Sequence, residues 1–209
     1  MNQQWEITRR QLAAAGRVID ARTGKALQGA TVTITAMPVV FQKKLALKAL
    51  QYGAQWGGML ERLDRRRSRL DGSFYFMDLP DGDYQLSAML PSMGRRYGTA
   101  EAAVSVTRDN TGRVKVAFVD LALQPTVVEG KITGAGQKGA VAMAQVRVKG
   151  SGERSFSDAK GHYALSGVEP GERSIQAFAQ GYRPAVQKVS VKAAGGSGTL
   201  NFSLTKANS

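Results

Sequence analysis

The sequence predicts an all-β chain of two tandem β-sandwiches, the first carrying a helical insertion. Three observations lead there. Gly supplies 24 of the 209 residues while long helical patterns are few, a composition that belongs to many turns and short strands. The stretch LDGSFYFMDLPDGDYQLSA, residues 70–88, has a counterpart in DAKGHYALSGVEPGERSIQA, residues 158–177. The plain copy sits in a span of about 80 residues whose strand signals recur at the spacing of a sandwich, and the first copy is the same unit elaborated.

The register of the two copies is continuous. Gly72 answers to Gly161, Phe74 to Tyr163, Phe76 to Leu165, Leu79 to Val168, Gly82 to Gly171 and Leu86 to Ile175. Each copy reads as a turn, a strand, a tight turn and a second strand. Phe74 and Phe76 face one way and Ser73, Tyr75 and Met77 the other, because strand side chains alternate. Tyr84, Leu86 and Ala88 form the next inward row. Gly72, Gly82, Gly161 and Gly171 stand where a turn needs positive φ or close approach.

In chain order, residues 1–11 form a polar arm with Trp5 and the pair Arg9–Arg10. The first sandwich covers 12–124. Val18 and Ile19 precede a turn at 20–24, and Val32 and Ile34 alternate with threonines as a half-buried strand. Residues 91–98 read as a loop. Val104 and Val106 start a strand, and 114–123 return as another. The second sandwich covers 125–206, with strands at 127–132, 145–148, 186–191 and 200–204, a glycine-rich turn at 134–139 and a flexible turn at 193–198. Residues 207–209 are a tail.

The repeat also measures an insertion. Ala30 and Gly72 are 42 positions apart, whereas the matching Ala144 and Gly161 are 17 apart, an excess of 25 in the first copy. It coincides with residues 37–68, where the β rhythm stops. Leu45, Ala49, Tyr52, Trp56, Met59 and Leu63 follow a helical stripe, with Pro38 at the first turn. Gly53, Gly57 and Gly58 each cost a helix interior ~1 kcal/mol against Ala, which predicts one kinked helix or two short ones. Lys43, Lys44 and Lys48 occupy the opposite face. Arg62, Arg65, Arg66, Arg67 and Arg69 lie at its C-terminal end, where cations suit the helix dipole.

The formal charge of +13 is uneven: 13 Lys/Arg against 4 Asp/Glu in residues 1–70, 5 against 7 in 71–124, and 11 against 5 in 125–209. A basic chain is drawn to acidic protein surfaces, anionic membranes or nucleic acid. Tyr52 and Trp56 lie on the apolar stripe and not among the arginines, so stacking platforms for nucleic acid are missing. Membrane-surface contact by the basic helix ranks below protein docking. There is no cysteine, which excludes thiol catalysis, disulfides and thiolate metal sites. The single histidine, His162, excludes an ordinary zinc site and reads as an outward strand residue. Asp78, Asp81 and Asp83 are too few for the 6–8 oxygen ligands of Ca²⁺. The expectation is no catalytic residue, no cofactor, no metal and no small-molecule substrate. No apolar run is long enough to span a bilayer, and the N-terminus lacks an apolar core of signal-peptide length. The chain is therefore expected in the cytoplasm or assembled there, or outside the cell or in the periplasm if an export signal has been trimmed.

GRVIDARTGKALQGATVTIT at 16–35, followed by residues 70–88, resembles the carboxypeptidase regulatory-like family, whose pattern runs G-x-V-x-D-x-x-T-G-x-P-L-x-G-A-x-V and then D-x-x-G-x-F-x-F-x-x-L-P-x-G-x-Y. Ala26 stands where that family usually has Pro, and Gly181-Tyr182 keeps its G-x-Y loop. The resemblance covers about 12–124 and 126–206 and implies a transthyretin-like, seven-stranded Greek-key sandwich in each half. The fold carries no function by itself. Hydroxyisourate hydrolases and intradiol dioxygenases share it but need several histidines and two histidines respectively.

The expected function is a non-enzymatic structural or adaptor protein of a larger assembly. It would dock through Lys43, Lys44, Lys48, Tyr52, Trp56, Arg62, Arg65, Arg66, Arg67 and Arg69. By analogy, phage-tail-like contractile injection machines use such sandwiches as adaptors. The alternative is a surface or periplasmic carbohydrate- or matrix-binding module presenting Tyr97 and Tyr182.

Overall fold

The computed structural model describes residues 10–136 and 139–207. The arm with Trp5 and Arg9, the middle of the 134–139 turn and the end of the tail lie outside the described residues. The chain divides into two compact units. Unit 1 is Met1–Ser92 with Ala100–Ala122, and unit 2 is Met93–Thr99 with Leu123–Ser209.

Unit 1 runs β1 (Leu12–Asp20), β2 (Thr31–Ala36), α1 (Val39–Tyr52), a 3₁₀ segment (Gly53–Gly58), β3 (Arg65–Arg67), β4 (Ser73–Met77), β5 (Gly82–Met89), β6 (Ala100–Arg108), β7 (Val114–Lys115), β8 (Ala117–Phe118) and β9 (Leu121–Leu123). One sheet has the order β4-β1-β8, with β9 also on β1, and the other β3-β2-β5-β6-β7. Val18, Phe74 and Phe76 of the first sheet and Val32, Ile34, Tyr84, Leu86, Val104 and Val106 of the second are buried in the core. The chain crosses between sheets after β1, β3, β4 and β7, the connectivity of a Greek-key sandwich.

Unit 2 repeats the plan with β10 (Val127–Gly134), β11 (Gln145–Val148), β12 (Arg154–Phe156), β13 (His162–Ser166), β14 (Gly171–Phe178), β15 (Ala185–Val191), β16 (Ser197–Thr199) and β17 (Phe202–Leu204). Its sheets are β13-β10-β16, with β17 also on β10, and β12-β11-β14-β15. One core joins them: Val128, Ile132, Tyr163, Leu165, Phe202 and Leu204 meet Val146, Val148, Ile175, Ala177 and Val191.

The repeat holds at the level of single hydrogen bonds. In unit 1 the Ser68 hydroxyl donates to the Leu27 carbonyl at 2.6 Å and accepts from the Ala30 amide at 2.9 Å. In unit 2 Ser157 donates to the Val141 carbonyl at 2.7 Å and accepts from the Ala144 amide at 2.9 Å. Gly72 and Gly161 take φ of +76° and +79°. A Cβ there would meet the Val18 carbonyl oxygen at 2.6 Å and the Ile132 carbonyl oxygen at 2.5 Å.

Seven strands per sandwich are predicted, and the described residues contain nine strand segments in unit 1 and eight in unit 2. The stretch 114–123 is three pieces, and Ser197–Thr199 is a strand that overlaps the end of the flexible turn predicted at 193–198. The last strand of each copy is interrupted at the same place for the same reason. In unit 1 the Arg17 amide donates to the Asp120 carboxylate at 2.9 Å, and in unit 2 the Lys131 amide donates to the Asn201 side chain at 2.8 Å. A side-chain acceptor replaces a backbone carbonyl, so the ladder breaks and resumes.

Candidate docking interface

The insertion begins as predicted and ends differently. Pro38, extended at φ −60° and ψ 149°, precedes α1, and its carbonyl accepts from the Phe41 and Gln42 amides. Gly53 ends α1 at φ +54° with its amide bonded to the Ala49 carbonyl, so the glycine that weakens the pattern marks the break. The 3₁₀ segment carries the chain to Gly58. Arg65–Arg67, predicted as the cationic end of the helix, is β3, paired with β2 as Thr31↔Arg67, Val32↔Arg66 and Thr33↔Arg65. The last turn of α1 contains no basic residue. Pairing with β2 overrides a weak helical preference interrupted by three glycines.

Phe41 anchors the helix. It is the only buried residue of α1 and meets Tyr84 edge-on, ring centres 5.9 Å apart. Pro38 lies so close to Gly82 that a Cβ there would sit 2.5 Å from it. Leu45 and Ala49 are half-buried on the same side. A second apolar face lies outside the predicted stripe: Val39, Val40, Leu47 and Leu50 are 62%, 67%, 68% and 81% exposed. At 100° per residue, Val39, Leu47 and Leu50 fall within one arc turned away from Phe41. Lys43 sits within that arc and Lys44 at its rim, both exposed. The signal was present as spacings of three and seven between 40, 47 and 50.

The ten candidate residues separate into two kinds. Lys43, Lys44, Tyr52, Arg67 and Arg69 are exposed. Arg67, Arg69 and Glu61 line an open groove of about 400 Å³ with Gly29 and Ser92. The other cations hold the insertion to itself. Arg62 grips Asp64 with two bonds of 3.0 and 2.7 Å, both side chains about nine-tenths buried. Its guanidinium also lies 4.8 Å from the Trp56 ring centre. Trp56 stacks on Tyr52 at 6.0 Å. Arg66 reaches the Arg62 and Arg65 carbonyls and lies 5.8 Å from the Phe76 ring centre. Arg65 is half-buried. Lys48 bonds the Gln51 side chain at 2.9 Å and lies over Tyr52.

The alternative platforms are not exposed rings. Tyr97 is half-buried, and Tyr182 packs against the core of unit 2. His162 is exposed, 3.8 Å from Asp158. The three loop carboxylates diverge: Asp78 accepts from the Gln11 amide, Asp81 pairs with Arg108 and Asp83 accepts from Ser105. No group of three or more metal-ligating side chains occurs among the described residues.

Residues 127–205 match the carboxypeptidase regulatory-like domain family. No curated protein matches the chain. Among solved structures, the shaft pilin SpaA from Lactobacillus rhamnosus GG is similar at 14% identity, covering 96% of this chain and 99% of that one with a TM-score of 0.44. The minor pilin GBS52 from Streptococcus agalactiae is similar at 12% identity, covering 94% and 96%, TM-score 0.35. The Bacillus anthracis TIE protein is similar at 12% identity, covering 94% and 34%, TM-score 0.39. Likenesses this distant carry no argument.

Proposed function

We propose, from the premise that residues 127–205 form a carboxypeptidase regulatory-like domain, that this chain is a non-enzymatic adaptor docking on a larger protein assembly through α1. The observation that carries this reading is the outward face of Val39, Val40, Leu47 and Leu50. An amphipathic helix that lays such a face into a groove is a recurrent recognition mode. The charges state the partner's chemistry. On or beside that face Lys43 and Lys44 are exposed, and α1 has no acidic residue, so the matching groove is apolar with an acidic rim. Exposed Arg67 and Arg69 extend the same complementarity, which acts mainly on association rate and specificity. The finer reading is a component of a phage-tail-like contractile injection machine.

Co-sedimentation of the native full-length protein with its assembly tests the docking, and identification of sheath or baseplate proteins in the particle tests the finer reading. Leu47→Glu/Leu50→Glu abolishes sedimentation if the reading is right, and a wild-type protein that sediments only as a free monomer removes it. Lys43→Glu/Lys44→Glu weakens association at low salt and much less at high salt, where exposed charges are screened.

A further inference from the structure

We propose that the outer face of the β4-β1-β8 sheet in unit 1 is a saccharide-binding groove. The β1 register carries the argument. Ala15 pairs with Tyr75 on one side and with Phe118 on the other, so two rings on neighbouring strands flank one small side chain. Their backbones are two strand spacings apart, about 9.6 Å, and Ala15 keeps the floor between them low. Phe118 is 76% exposed. The groove holds about 360 Å³ and includes Leu12 and Gly16, within the range of small-ligand sites.

Two residues along the chain from each of these three positions stands a polar row, with Asp120 in the break between β8 and β9. Arg17 pairs with Ser73 across the strands. Its guanidinium lies 3.6 Å from the Asp120 carboxylate, with both side chains about half exposed. The aromatic row Tyr75–Ala15–Phe118 therefore runs beside the polar row Ser73–Arg17–Asp120. That combination selects a sugar. The apolar C–H face of a pyranose packs against aromatic faces, and its vicinal hydroxyls, each donor and acceptor, need donors and acceptors together at the edge. Arg17 and Asp120 supply both.

The Tyr75 ring is already fixed. Arg69 donates to its hydroxyl at 2.7 Å and lies 4.8 Å from its centre. Arg69 lines a neighbouring pocket together with Tyr75 and is absent from the lining of this groove. Unit 2 is the internal contrast. Glu129 pairs there with Ala164 and Thr199, and the aromatic row is missing from the plain copy of the same sheet.

Titration calorimetry of the full chain against hexasaccharides of β-1,4-glucose, α-1,4-glucose, β-1,4-mannose and β-1,4-N-acetylglucosamine tests this. At least one binds at millimolar concentration or below. Phe118→Ala weakens it about tenfold, Phe118→Trp keeps it, and Asp120→Asn weakens it. Phe156→Ala, an exposed ring of unit 2, leaves binding unchanged. Leu47→Glu/Leu50→Glu, which tests α1 docking, also leaves it unchanged, so the two readings fail separately. Absence of binding to every member of the panel overturns the proposal, as does binding that Phe118→Ala leaves intact. Phenylalanine-containing peptides competing better than any saccharide also overturn it in favour of a protein ligand.

Discussion

Gly16 and Gly130 hold tight positions in the two copies of the sheet. A Cβ on Gly16 would lie 1.6 Å from the Val119 carbonyl oxygen, and one on Gly130 1.9 Å from the Leu200 carbonyl oxygen. The obstacle is backbone and not the tip of a flexible chain, so the last strand of the sheet must move. Gly130→Ala is expected to cost more than about 3 kcal/mol in urea denaturation. The serine pair is the second case. Ser157→Ala removes a buried hydroxyl that satisfies a donor and an acceptor and costs about 1–3 kcal/mol, with Ser68→Ala behaving alike in unit 1. The phenols show the same burial. Burial pushes the Tyr84 hydroxyl up to about 12 and raises that of Tyr163, which donates to the Leu200 carbonyl at 2.6 Å. Phe74, Tyr84 and Tyr163 are all buried.

At the scale of elements, strands were legible and the insertion only partly so. The rows Phe74/Phe76 and Tyr84/Leu86/Ala88 are buried while their neighbours are not, because a period of two admits one reading per face. α1 defeats the corresponding argument for helices. Its two apolar faces oppose each other, Phe41 with Leu45 and Ala49 inward, Val39, Leu47 and Leu50 outward, so a single stripe describes it badly. The two faces differ in what they hold up. Phe41→Ala is expected to cost about 3–5 kcal/mol, since it empties a fully buried site against Tyr84. Leu47→Glu/Leu50→Glu should change stability by less than about 1 kcal/mol, because both residues are exposed. Urea melts of both variants check this. A large loss in the second would mean the outward face packs within the chain.

At the scale of the whole molecule, the informative segment is Met93–Thr99, which groups with unit 2 although it lies between β5 and β6. The Gly98 amide donates to the Gln124 carbonyl at 2.8 Å, the Thr126 amide to the Arg96 carbonyl at 2.7 Å and the Ala194 amide to the Arg95 carbonyl at 3.0 Å. Arg96 fastens it further, at 2.6 Å from Glu153 and 2.8 Å from Glu169. The hydrogen bond from Arg96 holds the Glu169 carboxyl below its usual range. A depressed carboxylate contributes stability above its unfolded pKa and loses it as pH falls through the folded value. Arg96→Ala should therefore destabilise unit 2 at neutral pH, and the gap to wild type should narrow as pH drops below ~4. Thermal melts across that range would show a constant gap if the ion pairs contribute nothing.

The sequence by itself determined the sandwich plan, the tandem repeat and the 25-residue excess. Each rests on local rules: alternation along strands, glycine where φ is positive, and a register without gaps. Only the tertiary structure decided three things. Arg65–Arg67 became a strand because β2 offers a hydrogen-bonding edge that no local propensity records. Arg62 and Arg66 turned inward because Asp64 and Phe76 lie in reach, which charge counting does not see. The rings of Tyr75 and Phe118 came to flank Ala15 because a parallel pairing joins residues about a hundred positions apart in the chain, a distance over which sequence pattern carries no register.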